Sequence, residues 1–359
     1  MKRTTWAGAF LLTALVLSLE SSTFIKIFPK VATGAVKADA DDPAIWIHPT
    51  DPALSVIIGT DKDSAEGGLY VWNLQGRQLQ FIPIARPNNV DVRHGMQLGT
   101  RTVDIAVTQE CRNRRLRVFE INPQNGLLTD ITTSAGIATP ELEAPYGLCL
   151  YRRKHDGAMF VIASSRAGKS ATSLHQYQLS DDGQGKVQGK YVRAFGHNTI
   201  EDKVEGLVAD DELGYVYAAD EEAAVRKYHA DPADGNDQAL AVFASDDGIK
   251  GDRKGLALYR CDEQTGYLLL SSQKGKKYSS LKVYRREGEV GDPHEHKLLM
   301  TLDTIGSNET DGLEVTHHGI QGQFPHGFIV KHDSPGRRFQ LYSWQDLMLS
   351  VPQICSSQK

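Results

Sequence analysis

Only four cysteines occur in this chain of 359 residues, and none stands in a C-x-x-C pair. That spacing is what a structural zinc site uses, so the sequence argues against one. Basic tracts are also missing. Lys and Arg are scattered and the net charge is −5, which argues against a nucleic-acid partner. Beyond the first residues no segment is apolar for the ~20 positions a membrane helix needs. Long amphipathic helical patterns are absent too. What remains is short β-rich runs in a chain that is 40% hydrophobic, ample for a large core. Length alone suggests two domains, but β repeat folds often run this long as one.

The start, "MKRTTWAGAFLLTALVLSLESS", has the form of an export signal: Lys2 and Arg3, then a mostly apolar run from Trp6 to Leu19. A clean small-x-small cleavage site is lacking, so an uncleaved anchor stays open. The expected division is residues 1–22 as signal or N-terminal anchor and 23–359 as one domain. The mature protein is expected outside the cytoplasm, secreted or periplasmic, as a monomer, with no membrane contact beyond a possible anchor. Export permits disulfides, and three pairings of Cys111, Cys149, Cys261 and Cys355 remain open. Cys149, in the apolar "GLCLY", reads as a buried core thiol.

Periodicity is the main signal. Six segments carry an apolar–x–x–aromatic pattern followed by turn residues or charges. Their aromatics are Trp72, Phe119, Tyr177, Tyr228, Tyr284 and Tyr342, spaced 47, 58, 51, 56 and 58 residues apart. Each is preceded by a second strand-like run, such as "SVIIGTDK" or "GYVYAADE". A third run stands before that, such as "DDPAIWIHP", "PYGLCLYRR", "VEGLVADD", "RKGLALYR" or "TDGLEVTH". Six repeats of about 50 residues, each with at least three strands, predict an all-β, six-bladed β-propeller.

In propellers the innermost strand of each blade lines a central channel. If the "x-G-L" runs are those strands, their leading residues gather at one end of it. These are Asp42 after Asp41, Asn89 with Asp91 close behind, Tyr146, Glu205, Lys254 with Asp252 two before, and Asp311. The second strands should deliver Lys62, Arg166, Lys169, Asp220, Glu221 and Asp333 to the rim. Converging carboxylates repel each other, and a hard cation removes that cost. Oxygen ligands from several loops favour calcium, which takes six to eight oxygens. Interleaved Lys and Arg suit an anion above it, most naturally phosphate. Metal plus clamped phosphate suggests metal-assisted hydrolysis. A lone Asp before a strand is usually a turn residue; several at equivalent repeat positions are harder to explain that way.

The stretches "KADADDPAIWIHPTDP", "RPNNVDVR", "PYGLCLY", "VEGLVADDELGYVYAADEE", "YLLLSSQ" and "ETDGLEV" together resemble the β-propeller phytases, over roughly Val36 to Leu347. The resemblance implies a six-bladed propeller with several calcium ions (Ca2+) at one end. It also implies stepwise release of phosphate from myo-inositol hexakisphosphate (phytate), through a cleavage site and an adjacent affinity site. By the same resemblance Asp41 and Asp42 match acidic calcium positions, Lys62 a phosphate-binding lysine, and Tyr146 a cleavage-site tyrosine. Arg166 stands where the family has a phosphate-binding lysine. Glu205, Asp252 and Asp311 match calcium or catalytic-water positions, and Asp220 with Glu221 an acidic pair. Arg112 is the best match for a further phosphate-binding arginine. Three departures stand out. Lys254 replaces a calcium-binding glutamate, Asp63 replaces a lysine beside Lys62, and Ile305 replaces another acidic metal position. Fewer calcium ions or a weaker cleavage site are expected.

The primary expectation is therefore an exported, calcium-dependent phosphomonoesterase acting on phytate or other inositol polyphosphates, its local cations outweighing the net negative field. Glu205, Asp311, Tyr146 and Lys62 are its candidate catalytic residues. Lys62, Arg112, Arg166 and Lys254 are candidate phosphate contacts. Asp41, Asp42, Glu205, Asp220, Glu221, Asp252 and Asp311 are candidate metal ligands. A phytase-like binding propeller with impaired catalysis is the alternative; a different metal-dependent propeller hydrolase, such as a sugar lactonase, fits the Lys/Arg set less well. Other motifs read as decoys. "VRHG" (Val92–Gly95) lacks the rest of a histidine acid phosphatase motif. Cys111 to Arg117 satisfies C-x5-R but lacks the Gly-rich phosphate loop. "DPHEHK" and His317–His318 read as loop histidines, and "DPADGND" as a turn.

Overall fold

The computed structural model describes residues 23–166, 174–235, 237–273, 279–350 and 355. Six antiparallel sheets follow one another along the chain, and their first strands touch in a closed ring, the sixth returning to the first. This is the expected six-bladed propeller. Blade one runs Ala40–Trp46, Val56–Asp61, Gly68–Asn73 and Gln78–Pro83. The inner strands of blades two to six are Val90–Leu98, Pro145–Arg152, Val204–Asp210, Asp252–Arg260 and Leu313–Thr316.

The periodic aromatics explain how the blades stack. Phe119, in blade two, packs against Trp46, Ile58 and Val71 of blade one, and Tyr342, in blade six, against Leu269 and Val283 of blade five. All six aromatics are buried. The apolar ring fills the wedge between sheets, where it contributes ~1.5–3 kcal/mol per side chain. Where the aromatic is Tyr, its hydroxyl reaches the segment that enters its own blade. Tyr228 bonds Thr199 Oγ1 at 2.6 Å, Tyr284 donates to Asp247 at 3.0 Å, and Tyr342 to the Ile305 carbonyl at 2.9 Å. A buried phenol needs such a partner.

Ring closure lay beyond the repeat pattern. Blade six supplies three strands of its own, and its outermost strand comes from the other end of the chain. Pro29–Ala32 pairs antiparallel with Arg338–Ser343. Just before it, Thr23–Ile27 adds a fifth, parallel strand to blade five against Leu298–Thr304. A helix, Trp344–Ser350, follows the last strand, with Trp344 stacked on Tyr259 at 3.6 Å. Cys261 and Cys355 form a disulfide, leaving Cys111 and Cys149 free, and Cys149 is buried as expected.

Candidate functional site

The recurring Gly-Leu step is where neighbouring inner strands come closest. A Cβ on Gly206 would lie 1.9 Å from the Lys254 carbonyl oxygen, one on Gly147 2.4 Å from that of Glu205, and one on Gly312 2.8 Å from that of Asp41. The pairing with the second strand breaks register at the same place: between Ala40 and Pro43, Pro145 and Leu148, Val204 and Leu207, and Arg253 and Leu256. A bulge re-aims the side chain it carries. It brings Asp41, Tyr146, Glu205 and Lys254 to one mouth of the axis, with Asp311 just ahead of the sixth inner strand.

There the charges interlock. Lys254 Nζ donates to Glu205 Oε2 and Glu221 Oε2, both at 2.9 Å, and lies 3.4 Å from the Tyr146 hydroxyl and 4.0 Å from Asp311 Oδ1. Lys62 Nζ bridges Asp41 Oδ1 at 2.6 Å and Asp311 Oδ2 at 3.0 Å. Tyr146 donates to Glu221 Oε1 at 2.8 Å. Burial opposes the charge on each lysine, yet the carboxylates outweigh it, and both ammonium groups are held protonated above their usual range. Burial, then Glu205 and Glu221, raise the Tyr146 phenol, so it remains a donor. Burial likewise pushes the Asp41 carboxyl well up, against the pull of Lys62. For Asp311 burial is outweighed by Lys62, His332 and Lys254, and its carboxyl is held at about 2.

Other candidates sit elsewhere. Asp42 accepts from the Val90 amide at 3.1 Å, tying blade one to blade two. Asp220 is fully buried and accepts from the amides of Glu201 and Asp202 and from Arg226. Asp252 lies opposite Gln273 at the start of its strand. Asp333 accepts from Arg338 and Gln340. The Arg166 guanidinium lies 5.0 Å over the Tyr146 ring, on the rim. Arg112 is exposed in a short turn, Cys111–Asn113, within electrostatic reach of Asp63. Lys169 lies outside the described residues. Two participants escaped the sequence reading. Asn88 donates to Glu205 Oε1 at 3.1 Å and Lys203 pairs with Glu221 at 3.0 Å. The one available signal was position: Asn88 and Lys203 stand just ahead of the inner strands Val90–Leu98 and Val204–Asp210.

Of the departures, Asp63 caps a turn by accepting from the amides of Ala65 and Glu66, and the Ile305 amide bonds the Ile27 carbonyl. The decoys resolve as structure. His94 bonds Asp104 at 2.8 Å. Arg117 is paired with Asp130, and burial pushes the Cys111 thiol up to about 12, so the thiolate a cysteine phosphatase needs is not populated. Deeper in the channel, a cavity of about 350 Å³ is lined by Asp91, Arg93, Asp211, Glu314 and His317 among others.

A cation fits the donor set. The converging ligands are oxygens only, as hard cations prefer. Asp41 Oδ2 is buried with no hydrogen-bond partner, an unmet demand of the kind a metal or water satisfies. Among the described residues no group of three or more His, Cys, Asp or Glu forms a ready metal shell; Lys62 and Lys254 stand between the carboxylates instead.

Fold and mouth together define a six-bladed propeller with an acid–ammonium cluster closing one end of its axis. The phytase family model matches residues 6–339. The 3-phytase of Bacillus subtilis (strain 168) is 32% identical over 319 residues, covering 86% of this chain and 80% of that protein. The chain therefore belongs to the phytase family and is a phosphoric monoester hydrolase of the phytase type.

Proposed function

We propose that this chain is an exported, calcium-dependent phytase that releases phosphate from myo-inositol hexakisphosphate at the Asp41–Glu205–Glu221–Asp311 cluster. The observation that carries the reading is the meeting of four carboxylates, two lysines and a protonated tyrosine at one mouth of the axis. Calcium held on the Asp41–Asp311 side would polarise a phosphoryl oxygen and favour ionisation of water, while Glu205 and Glu221 are engaged by Lys254. Lys62, on the Asp41 side, with Arg166 and Arg112 on the rim, supplies charge-assisted bonds to phosphate. Tyr146, kept protonated, donates toward a phosphoryl oxygen in exchange for Glu221. Asn88 and Lys203 orient Glu205 and Glu221. Asp42 and Asp220 act through the backbone they hold, and Asp252 is the remaining acidic candidate at the rim.

The chain acts as one domain from residue 23, as a monomer, secreted or periplasmic. The Cys261–Cys355 disulfide supports export, because such bonds persist in oxidising compartments. The impaired-propeller alternative draws on Lys254, which already engages two of the four carboxylates. Phosphate release from phytate, measured with calcium and with chelator, tests the proposal. Release that needs calcium supports it; no release at any calcium level, with ligand-induced stabilisation alone, favours the alternative.

A further inference from the structure

We infer that the Lys254 ammonium is a built-in cation that takes the place of a divalent ion between Glu205 and Glu221, so that this half of the cluster assembles without a metal ion. The inference rests on the calcium-phytase reading and deepens it.

Lys254 is only 6% exposed. It enters from the inner strand of blade five, through the register break between Arg253 and Leu256. Its Nζ meets oxygens from three other blades: Tyr146 of blade three, Glu205 and Glu221 of blade four, and Asp311 at the head of blade six. Oxygens converging from separate blades are what a cation at the axis would require. An ammonium differs in carrying one charge and three directed protons. Two of those are used at 2.9 Å. Lys203 adds a further positive charge on Glu221. A divalent ion among the same oxygens would face these ammonium groups at close range, which its charge disfavours. The remaining demand lies on the far side, at Asp41 Oδ2, which has no partner. The mouth thus divides in two: a half closed by Lys254 around Glu205 and Glu221, and a half around Asp41 and Asp311 where Lys62 stands.

The test is a calcium titration of the exported chain without substrate, by calorimetry, together with thermal unfolding in calcium and in chelator. Wild type is compared with Lys254→Glu, Lys254→Met and Lys254→Arg. Lys254→Glu is expected to bind one more calcium ion per chain. Its Tm in chelator should fall by roughly 10 °C more than that of wild type, as expected for unpaired buried charges, and calcium should restore it. Lys254→Met should shift the same way. Lys254→Arg should keep the wild-type count. If Lys254→Glu fails to fold even in calcium, Lys254→Met decides. An unchanged ion count in both variants overturns the inference, as does a wild type as chelator-sensitive as Lys254→Glu. Phytate hydrolysis by wild type is assayed in parallel. An inactive wild type counts against the phytase reading alone, whereas an active wild type with unchanged counts in the variants counts against this inference alone.

Discussion

Gly206→Ala probes whether the close approach of inner strands builds the site. Gly206 does not need a positive φ, so alanine costs nothing through backbone preference. The added Cβ would fall 1.9 Å from the Lys254 carbonyl oxygen and 3.2 Å from Ala219 Cβ. An ordinary carbon–oxygen contact needs about 3.3 Å. Both colliding groups are fixed, one of them backbone, so the strands carrying Glu205 and Lys254 must part by about 1 Å or more. That stretches the 2.9 Å pair between two buried charges. Overpacking costs ~1–3 kcal/mol and a disrupted buried pair ~3–5 kcal/mol, so a loss of at least ~3 kcal/mol is expected. The control is Gly183→Ala, with φ +81° and open space around it, which pays only left-handed strain of ~1–2 kcal/mol. Urea unfolding followed by tryptophan fluorescence compares them, with phosphate release measured where both are folded. If Gly206→Ala loses no more stability than Gly183→Ala, or keeps full activity, the reasoning fails.

Further expectations concern charge, cross-link and rim. Burial, and then Asp91, push the Glu314 carboxyl up to about 8. The native state therefore holds a proton that the unfolded chain releases between about pH 4.5 and 8. The stability this group contributes is full below that window and is lost as pH rises through it, at up to ~1.4 kcal/mol per pH unit. Glu314→Gln should flatten that slope in a Tm–pH series; an unchanged slope would show that another group causes it. Cys261→Ser opens a loop spanning 94 residues and should cost up to ~4 kcal/mol. Its Tm should then ignore reductant, while wild type falls on reduction to the mutant's value. Arg166→Ala should raise KM for phytate about tenfold with kcat little changed, as for one lost charge-assisted contact; an unaltered KM would remove Arg166 from the phosphate clamp.

The blades were legible because each repeats one local pattern. An alternating run ending in a buried aromatic marks a strand whatever surrounds it, so Trp72 through Tyr342 could be counted before any contact was known. The acidic mouth was legible for the same reason: Asp41, Glu205 and Asp311 hold equivalent places in their repeats. Asp220 shows the limit of this reasoning. It stands beside Glu221 in sequence, but Asp220 ends the strand Tyr215–Asp220 and Glu221 opens the turn that follows, so adjacency does not put the two side chains in one place. Glu221 meets Lys254, whereas Asp220 turns to Arg226 and the backbone of Glu201 and Asp202.

The sequence by itself determined the number of blades, the order of strands and the kind of residue at the axis, because these follow from local periodicity. Tertiary structure alone decided how the ring closes, which cysteines pair and which lysine serves which carboxylate. Pro29–Ala32 joins blade six, about 300 residues further along the chain, and no local pattern encodes such a partner. The charge of Lys254 was plain in "DRKGLALYR"; only the bulge and the close-packed glycines reveal that it sits between Glu205 and Glu221, where distance fixes the sign and strength of every interaction.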